Sequence, residues 1–300
     1  MDFRWPPPPD GRPDRYRPPV NRGPHTGRPT LPTPPTELVA TPHGVELECL
    51  TTGSGHPVTV FAHGLAGGIA ETRPLGSGVR GRRVFFQFRG HGRSAAPPGH
   101  WTYLDLARDL RAIADLHGAT RALGVSLGAG ALCRLLADNP NRFEKAVFFL
   151  PAVLDQPRQR TAAARLTELL AAVEAGDAAG VAEVISLEAP AQVRNTPAGW
   201  AYLRQRLEQL MRDGLAQALA ELPDQVALPD RRALGEVTAS ALVLACRGDD
   251  LHPVEVAEEL AAALPRATLH VYDRPGVLWT ERADLRERIA AFLNGQGLDD

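Results

Sequence analysis

The pentapeptide Gly124-Val125-Ser126-Leu127-Gly128 is the most informative stretch of this chain. It follows a short apolar run and precedes a helical run rich in small residues. A Gly-x-Ser-x-Gly sequence between a strand and a helix predicts a sharp turn that exposes the serine hydroxyl, and the glycines leave room for that backbone. At the start of the helix, free backbone N–H groups and the helix dipole favour negative charge on this oxygen. The pattern therefore predicts that Ser126 is a nucleophile.

On both sides of this turn, short β-rich runs alternate with helical patterns. Such alternation predicts an α/β fold, with a mostly parallel sheet that carries helices on both faces. Helices are predicted to run from Thr102 to Gly118, from Pro253, and at the end of the chain with Leu285, Ile289 and Phe292 on the buried face. The predicted strands are 45–50, 58–62, 83–88, 122–125, 146–150, 241–245 and 269–272.

The domain organisation follows from where this alternation stops. Residues 152–236 show helical patterns only, which predicts an inserted helical cap. Residues 37–151 and 237–300 then form the first and second parts of the α/β core. Residues 1–36 contain twelve prolines and six arginines among few hydrophobic side chains, a composition typical of a disordered tail.

Composition limits the class of protein. A chain of 300 residues with 44 % hydrophobic content can bury a sizeable core, and its net charge of −2 offers no basic face for nucleic acid or for an anionic membrane. Because it lacks a secretory signal and an apolar run of about 18 residues, we expect a cytoplasmic protein without a membrane partner. We also expect three buried, reduced cysteines, no metal and no cofactor. A small-molecule substrate is the expected partner, and the oligomeric state is left open.

A catalytic serine needs backbone N–H donors for the oxyanion that its attack creates. The predicted strand 58–62 runs into His63-Gly64-Leu65, where Gly64 lets the backbone fold back toward the carboxyl edge of the sheet. That turn can aim the N–H of Leu65 at the serine, and the N–H of Leu127 would be the second donor. We interpret His63 as a residue that holds the loop by hydrogen bonds.

The candidate acid follows the predicted strand 241–245, in the sequence Arg247-Gly248-Asp249-Asp250-Leu251-His252-Pro253. Catalytic groups of open α/β sheets cluster just beyond the carboxyl ends of the strands. We therefore assign Asp249 to the chemistry and Asp250 to capping the helix that opens at Pro253.

With these motifs in this order, residues 37–300 resemble the α/β-hydrolase superfamily of serine esterases and their relatives. The resemblance rests on the His63-Gly64 turn, the loop 89–94 (Arg-Gly-His-Gly-Arg-Ser), the turn at Ser126, and Asp249. It implies that Ser126 is the nucleophile, Asp249 the acid, Leu65 and Leu127 the oxyanion donors, and residues 152–236 a cap that selects the substrate.

The chain departs from this family at the general base, which the resemblance places in the loop after the last strand. That loop, residues 273–281, reads Asp-Arg-Pro-Gly-Val-Leu-Trp-Thr-Glu and puts Val277 or Gly276 at the histidine position. Loss of a triad histidine costs a serine hydrolase on the order of a million-fold in turnover. His270 lies within the last predicted strand and is interpreted as a core residue.

Three explanations of the missing base are open. A relocated histidine could serve, with His252 in the loop of Asp249, or His91 at the same edge of the sheet, as the candidate. Glu281 could act as an unusual base, although a carboxylate at a helix start is more often solvated. The protein could also have kept the fold and lost hydrolysis.

The leading hypothesis is a serine hydrolase acting on a small apolar ester or related carbonyl compound. The alternative is a non-hydrolytic or catalytically impaired member that binds a ligand or partner in the same pocket.

Overall fold

A mostly parallel, eight-stranded sheet is the centre of the fold in the computed structural model, which describes residues 35–212 and 214–296. The strand order is β1-β2-β4-β3-β5-β6-β7-β8, with antiparallel pairing of β1 with β2 and of β2 with β4, and parallel pairing from β4 to β8. The predicted α/β class is confirmed. The strands are β1 Glu37–Ala40, β2 Glu46–Thr52, β3 Val58–Ala62, β4 Arg82–Phe86, β5 Arg121–Val125, β6 Lys145–Phe149, β7 Ser240–Cys246 and β8 Ala267–Tyr272.

All seven predicted strands are confirmed, with ends that differ from the prediction by no more than two residues. Strand β3 is buried at every position, as expected for a strand with helices over both faces. Strand β1 was not predicted, because it lies at the edge of the sheet and three of its four residues are exposed. Its sequence, Glu-Leu-Val-Ala, has an apolar run of three residues, which is too short to indicate a strand by itself.

Helices cover the sheet, and their ends follow local capping chemistry. Helix α2 begins after Thr102, whose hydroxyl accepts the N–H of Asp105 while the Asp105 carboxylate accepts the N–H of Thr102, and it ends at Gly118 with φ 62°. Both predicted ends are confirmed. The helices that pack directly on the core are α1 Ile69–Thr72, α2 Tyr103–His117, α3 Leu127–Asp138, α9 Val254–Ala263, α10 Val277–Thr280 and α11 Arg282–Asn294.

Three helix predictions need correction. Pro253 is the N-cap residue of α9 rather than its first helical residue, and no side chain caps this helix, so the assignment of Asp250 to capping was wrong. On α11, Leu285 and Ile289 are buried as predicted, but Leu293 completes the buried row and Phe292 is half-buried. The reason is that 285, 289 and 293 are four residues apart and share one face, whereas Phe292 lies beside it under the ammonium group of Lys145.

Between β6 and β7 lies the segment that we call the helical insertion, residues 152–236. It carries α4 to α8 and a 3₁₀ turn at Arg231–Glu236. Its α4 and α5 pack on each other, and α5 packs on α7. Its helices are α4 Arg160–Glu174, α5 Ala178–Ser186, α6 Ala191–Arg194, α7 Pro197–Leu210 and α8 Leu215–Ala218.

The core on one face of the sheet joins alternate side chains of β2 to β8 with the buried face of α11. The rings of Phe61 and Phe85 stack there with centroids 4.6 Å apart. Cys49, Cys133 and Cys246 are buried thiols, as predicted. No helix within the described ranges combines the length and apolar character needed to cross a membrane. The predicted disordered tail, apart from residues 35 and 36, lies outside the described residues.

Candidate active site

Ser126 occupies the sharp turn between β5 and α3 that the pentapeptide predicts. Its φ of 48° and ψ of −105° are strained for a residue with a side chain. The turn is held by two hydrogen bonds, since Ser126 N–H donates to Phe149 O at 2.9 Å and Gly130 N–H donates to Ser126 O at 3.0 Å. A side chain at Gly128 would lie 2.5 Å from the carbonyl oxygen of Ala62. The glycine therefore allows α3 to approach the end of β3 and keeps the hydroxyl of Ser126 at the edge of the sheet.

His252 links Ser126 to Asp249. The Nε2 atom of His252 lies 2.9 Å from Ser126 Oγ, and its Nδ1 lies 2.9 Å from Asp249 Oδ2. The histidine comes from the loop after β7, three residues beyond the aspartate, so both side chains reach the serine from one short segment. The structure thus brings together Ser126, Asp249 and the histidine that the sequence offered as a relocated base.

The hydrogen bonds of Asp249 determine the tautomer of His252. Oδ1 of Asp249 accepts the N–H of Leu251 at 3.0 Å and the N–H of His252 at 3.2 Å. Burial by itself would raise the pKa of Asp249, but the facing His252 and these two donors outweigh it and hold the pKa below its usual value. An ionised carboxylate only accepts hydrogen bonds, so His252 carries its proton on Nδ1 and presents the lone pair of Nε2 to the serine hydroxyl.

The other base candidates do not reach the serine in this way. Both ring nitrogens of His91 are in hydrogen bonds with the backbone, to Ala66 N at 3.2 Å and Arg89 O at 3.0 Å. Glu281 is exposed at the start of α11. His270 is half-buried on the edge strand β8, against the ring of Tyr272, rather than in the core as expected. Among these candidates, His252 is the imidazole within hydrogen-bond distance of Ser126 Oγ.

Val277 lies where the family resemblance places the histidine. It is 1 % exposed in the first turn of α10, directly after Gly276, whose φ is 84°. Together with Leu278 and Trp279 it lines the cavity in front of Ser126. The loop after β8 therefore contributes an apolar wall, whereas the loop after β7 contributes both the acid and the imidazole.

The turn that carries Leu65 is held by side chains on both sides. Gly64 N–H donates to Glu71 Oε2 at 3.1 Å, and Ala66 N–H donates to His91 Nε2. Gly64 O accepts from His63 Nδ1 at 2.7 Å, and His63 Nε2 accepts the N–H of Phe88 at 3.0 Å. His63 thus has the loop-holding role expected from the sequence. Leu65 and Leu127 both line the cavity with Ser126, and Leu127, as the first residue of α3, has an N–H without an intrahelical acceptor.

Burial keeps the two histidines of this turn uncharged. Desolvation, followed by the nearby charge of the other imidazole, lowers the pKa of His63 well below its usual value. Desolvation also lowers the pKa of His91 to about 4. In the neutral ring one nitrogen donates and the other accepts, which is the pattern that each histidine shows here. Both imidazoles therefore act as fixed supports of the Leu65 turn at neutral pH.

The cavity in front of Ser126 measures about 350 Å³. The helical insertion forms much of its wall with apolar side chains, and α10, the turns at Leu65 and Ser126 and the loop after β7 supply the rest. Charged side chains also line the cavity, and those from outside the loop of Asp249 are Glu71, Arg158, Arg165, Glu188 and Arg206. The apolar lining residues of the insertion are Ala152, Ala162, Leu166, Leu169, Val184, Leu187, Leu210 and Leu222.

Sequence reasoning missed a charged group in this cavity, formed by Glu71, Glu188 and Arg206. Nη2 of Arg206 lies 2.8 Å from Glu188 Oε2, and Nη1 of Arg206 donates to the carbonyl oxygen of Leu65. Desolvation raises the pKa of Glu71, although the neighbouring Arg206 opposes that shift. No motif surrounds Arg206 or Glu188, because the insertion reads only as amphipathic helix. Nothing in the local sequence pattern distinguishes them from solvated charges.

The described ranges, 35–212 and 214–296, contain no group of three His, Cys, Asp or Glu side chains arranged to hold a metal ion. The polar atoms at Ser126 are accounted for by the serine, imidazole and carboxylate described above. The arrangement can move a proton from a hydroxyl to an imidazole beside two backbone N–H groups.

Comparison with known proteins identifies the family. The profile of the family described as "alpha/beta hydrolase fold" matches residues 57–278. A protein of Caulobacter segnis named "Putative carbamate hydrolase RutD" is 26 % identical over 260 residues, which are 81 % of this chain and 93 % of that protein.

Solved structures show the same fold at low sequence identity. An esterase from Exiguobacterium antarcticum has a TM-score of 0.72 and 18 % identity, covering 86 % of this chain and 98 % of that chain. The enol-lactonase from Burkholderia xenovorans has a TM-score of 0.72 and 19 % identity, covering 86 % of this chain and 100 % of that chain. Because the family profile spans well over half of the sequence, this chain belongs to the family of proteins with the α/β hydrolase fold.

Proposed function

We propose that the protein is a serine hydrolase that cleaves small, largely apolar esters or related acyl compounds. The observation that carries the proposal is the continuous chain of hydrogen bonds from Asp249 through His252 to Ser126 Oγ, each 2.9 Å long. A serine hydroxyl becomes a nucleophile when an oriented imidazole can take its proton, and this geometry provides that orientation.

The mechanism assigns a role to each group. Ser126 Oγ attacks the substrate carbonyl carbon while its proton passes to His252 Nε2, and Asp249 stabilises the imidazolium that forms. The N–H groups of Leu65 and Leu127 hold the negative oxygen of the tetrahedral intermediate. His252 then gives the proton to the leaving oxygen, which departs as an alcohol and leaves an acyl-enzyme. A water molecule, deprotonated by the same imidazole, releases the acid and restores Ser126.

The size and lining of the cavity support the substrate class. A volume of about 350 Å³ is near the lower end for ligand pockets. The aliphatic side chains of the insertion, with Val277 and Leu278, form an apolar part of the wall, which favours an apolar acyl or alcohol group. A role of residues 152–236 as a cap that selects the substrate is part of this proposal.

Labelling with a fluorophosphonate probe tests the nucleophile. We expect wild type to be labelled stoichiometrically and to hydrolyse p-nitrophenyl acetate and butyrate, and Ser126→Ala to do neither. Equal absence of labelling and of ester hydrolysis in both proteins would overturn the proposal and favour a ligand-binding member of the family. A p-nitrophenyl carbamate belongs in the same assay, since the Caulobacter segnis relative is named as a putative carbamate hydrolase.

A further inference from the structure

One face of helix α7 connects the helical insertion to the oxyanion turn. Tyr202, Arg206 and Gln209 are four and three residues apart, so they share this face. Gln209 accepts the N–H of Gly92 at 3.1 Å and donates to Gly90 O at 3.3 Å. The ring of Tyr202 packs edge to face on Trp279 with centroids 5.3 Å apart. Between them, Arg206 reaches the carbonyl oxygen of Leu65.

The guanidinium of Arg206 is fixed in place by its own partners. Its side chain is 13 % exposed and that of Glu188 is 17 % exposed. Oε2 of Glu188 accepts from Arg206 at 2.8 Å and from the hydroxyl of Tyr202 at 2.6 Å. Hydrogen bonds to a charged donor are shorter and stronger than neutral ones, and the planar fork holds two acceptors at once. Arg206 therefore ties Leu65 rigidly to Glu188.

This contact bears on the orientation of the Leu65 N–H. The Leu65 N–H belongs to the Gly64–Leu65 peptide group, so hydrogen bonds that hold the planar peptide groups before and after it limit how it can turn. Glu71 accepts the N–H of Gly64, and His91 accepts the N–H of Ala66. Arg206 binds the C=O of Leu65 itself. Glu71 and His91 belong to the core, whereas Arg206 belongs to the insertion.

We propose that Arg206 is a positioning residue, which couples the seating of helix α7 to the orientation of the Leu65 N–H in the oxyanion site. The inference rests on the serine hydrolase mechanism proposed above. Its guanidinium also brings a positive charge close to the turn where the negative oxygen forms. If α7 were displaced, Ser126, His252 and Asp249 would stay in place, but the Leu65 N–H would stabilise the transition state less well.

The test compares Arg206→Met and Arg206→Lys with Arg204→Ala. Arg204 is exposed on the same helix and does not line the cavity, so its removal takes an equal charge from α7 without touching the turn. We expect Arg206→Met to lower kcat for p-nitrophenyl acetate by about 10- to 100-fold with KM changed by less than about threefold, because misplacing one donor weakens the transition state selectively. Arg206→Lys keeps the charge and loses the fork, so its kcat should fall between those of Arg206→Met and wild type.

A transition-state analogue separates positioning from general structural damage. A trifluoromethyl ketone forms a tetrahedral adduct that needs the oxyanion donors, so its affinity should fall by the same factor as kcat/KM across the three proteins. The affinity for p-nitrophenol, a product that does not need the oxyanion donors, should stay unchanged. Circular dichroism and thermal unfolding show whether each variant is folded.

The outcomes distinguish this inference from the proposed function. If a folded Arg206→Met has kcat and KM values within twofold of those of Arg204→Ala, the inference about Arg206 is overturned and the proposed function is not. The same holds if Arg206→Met raises KM and leaves kcat unchanged. If Arg206→Met does not fold, an Arg206→Lys variant that folds with unchanged kcat and analogue affinity would likewise overturn it. Wild type without Ser126-dependent hydrolysis would overturn the proposed function, and the inference with it.

Discussion

Replacing Asp249 by Asn tests whether the acid acts by fixing the tautomer of His252. Oδ1 of Asp249 accepts two backbone N–H groups, from Leu251 and His252, while Oδ2 faces the imidazole. In Asp249→Asn the amide oxygen will still accept the two backbone N–H groups, because a flipped amide would turn its NH₂ group, a donor, toward those two N–H donors. The amide nitrogen then faces His252 Nδ1, which must become an acceptor. The proton moves to Nε2, and that atom can no longer take the proton of Ser126.

The magnitude follows from counting these contacts. Flipping the amide to restore the productive tautomer loses two hydrogen bonds and leaves two donors unpaired, a cost of about 2–4 kcal/mol. Loss of the carboxylate also removes the charge that faces the imidazolium, which we take as about 2 kcal/mol in a partly solvated site. Together these terms give about 4–6 kcal/mol. At about 1.4 kcal/mol for each factor of ten, kcat should fall by about 10³- to 10⁴-fold.

Steady-state hydrolysis of p-nitrophenyl acetate by wild type, Asp249→Asn and Asp250→Asn measures this effect. Asp250 is the matched control, because it is the neighbouring acid of the same loop and is exposed. We expect the Asp250 variant to match wild type. Retention of kcat within tenfold in Asp249→Asn, with thermal stability unchanged, would refute the tautomer argument.

Three further changes probe the base, the turn and its supports. In ester hydrolysis, His252→Ala should lower kcat by about 10⁶-fold, and the double variant His252→Ala/Val277→His should recover part of that loss. A His252→Ala variant that stays active would rule out His252 as the base. Gly128→Ala should lower the free energy of unfolding in urea by about 1–3 kcal/mol, because its methyl group would overlap Ala62 O, and an unchanged midpoint would contradict this. Burial lowers the pKa of His91 to about 4 from its unfolded value near 6.5, so this residue alone should account for ~3 kcal/mol of stability that is lost as pH falls from 6.5 toward 4. Urea unfolding at several pH values should therefore show a weaker loss of stability in His91→Gln than in wild type, and equal slopes would contradict this.

The sequence was sufficient for those parts of the fold that depend on local pattern. The strands β3 to β7 were predicted because a covered parallel strand is mostly apolar, and the turn at Ser126 because few sequences allow that backbone. The edge strand β1 was missed, since its apolar run of three residues is too short to indicate a strand. Asp250 was wrongly assigned as a cap because Asp249 itself accepts the two N–H groups of the loop.

The candidate site was predictable where one motif carries the residue, and not where two distant segments meet. His252 was one of several candidates for the base, because sequence spacing cannot tell which loop after a strand turns toward the serine. Arg206 and Glu188 had no local signal at all. Arg206 matters through its contact with Leu65, which is 141 residues away in the chain, and Glu188 matters through its contact with Arg206. Tertiary contacts of this kind leave no periodic trace in the sequence.

Having the acid and the imidazole on one loop changes how the molecule could be varied. Asp249 and His252 are three residues apart, so their relative geometry is set locally and does not depend on how the end of the chain packs. In the proposed mechanism the segment Val277–Thr280 takes no part in proton transfer, and its residues Val277, Leu278 and Trp279 line the cavity instead. Libraries built at residues 277 and 278 should therefore change acyl-chain preference while the rate of serine labelling stays constant. A histidine at position 277 would not allow selectivity to be changed separately from reactivity in this way.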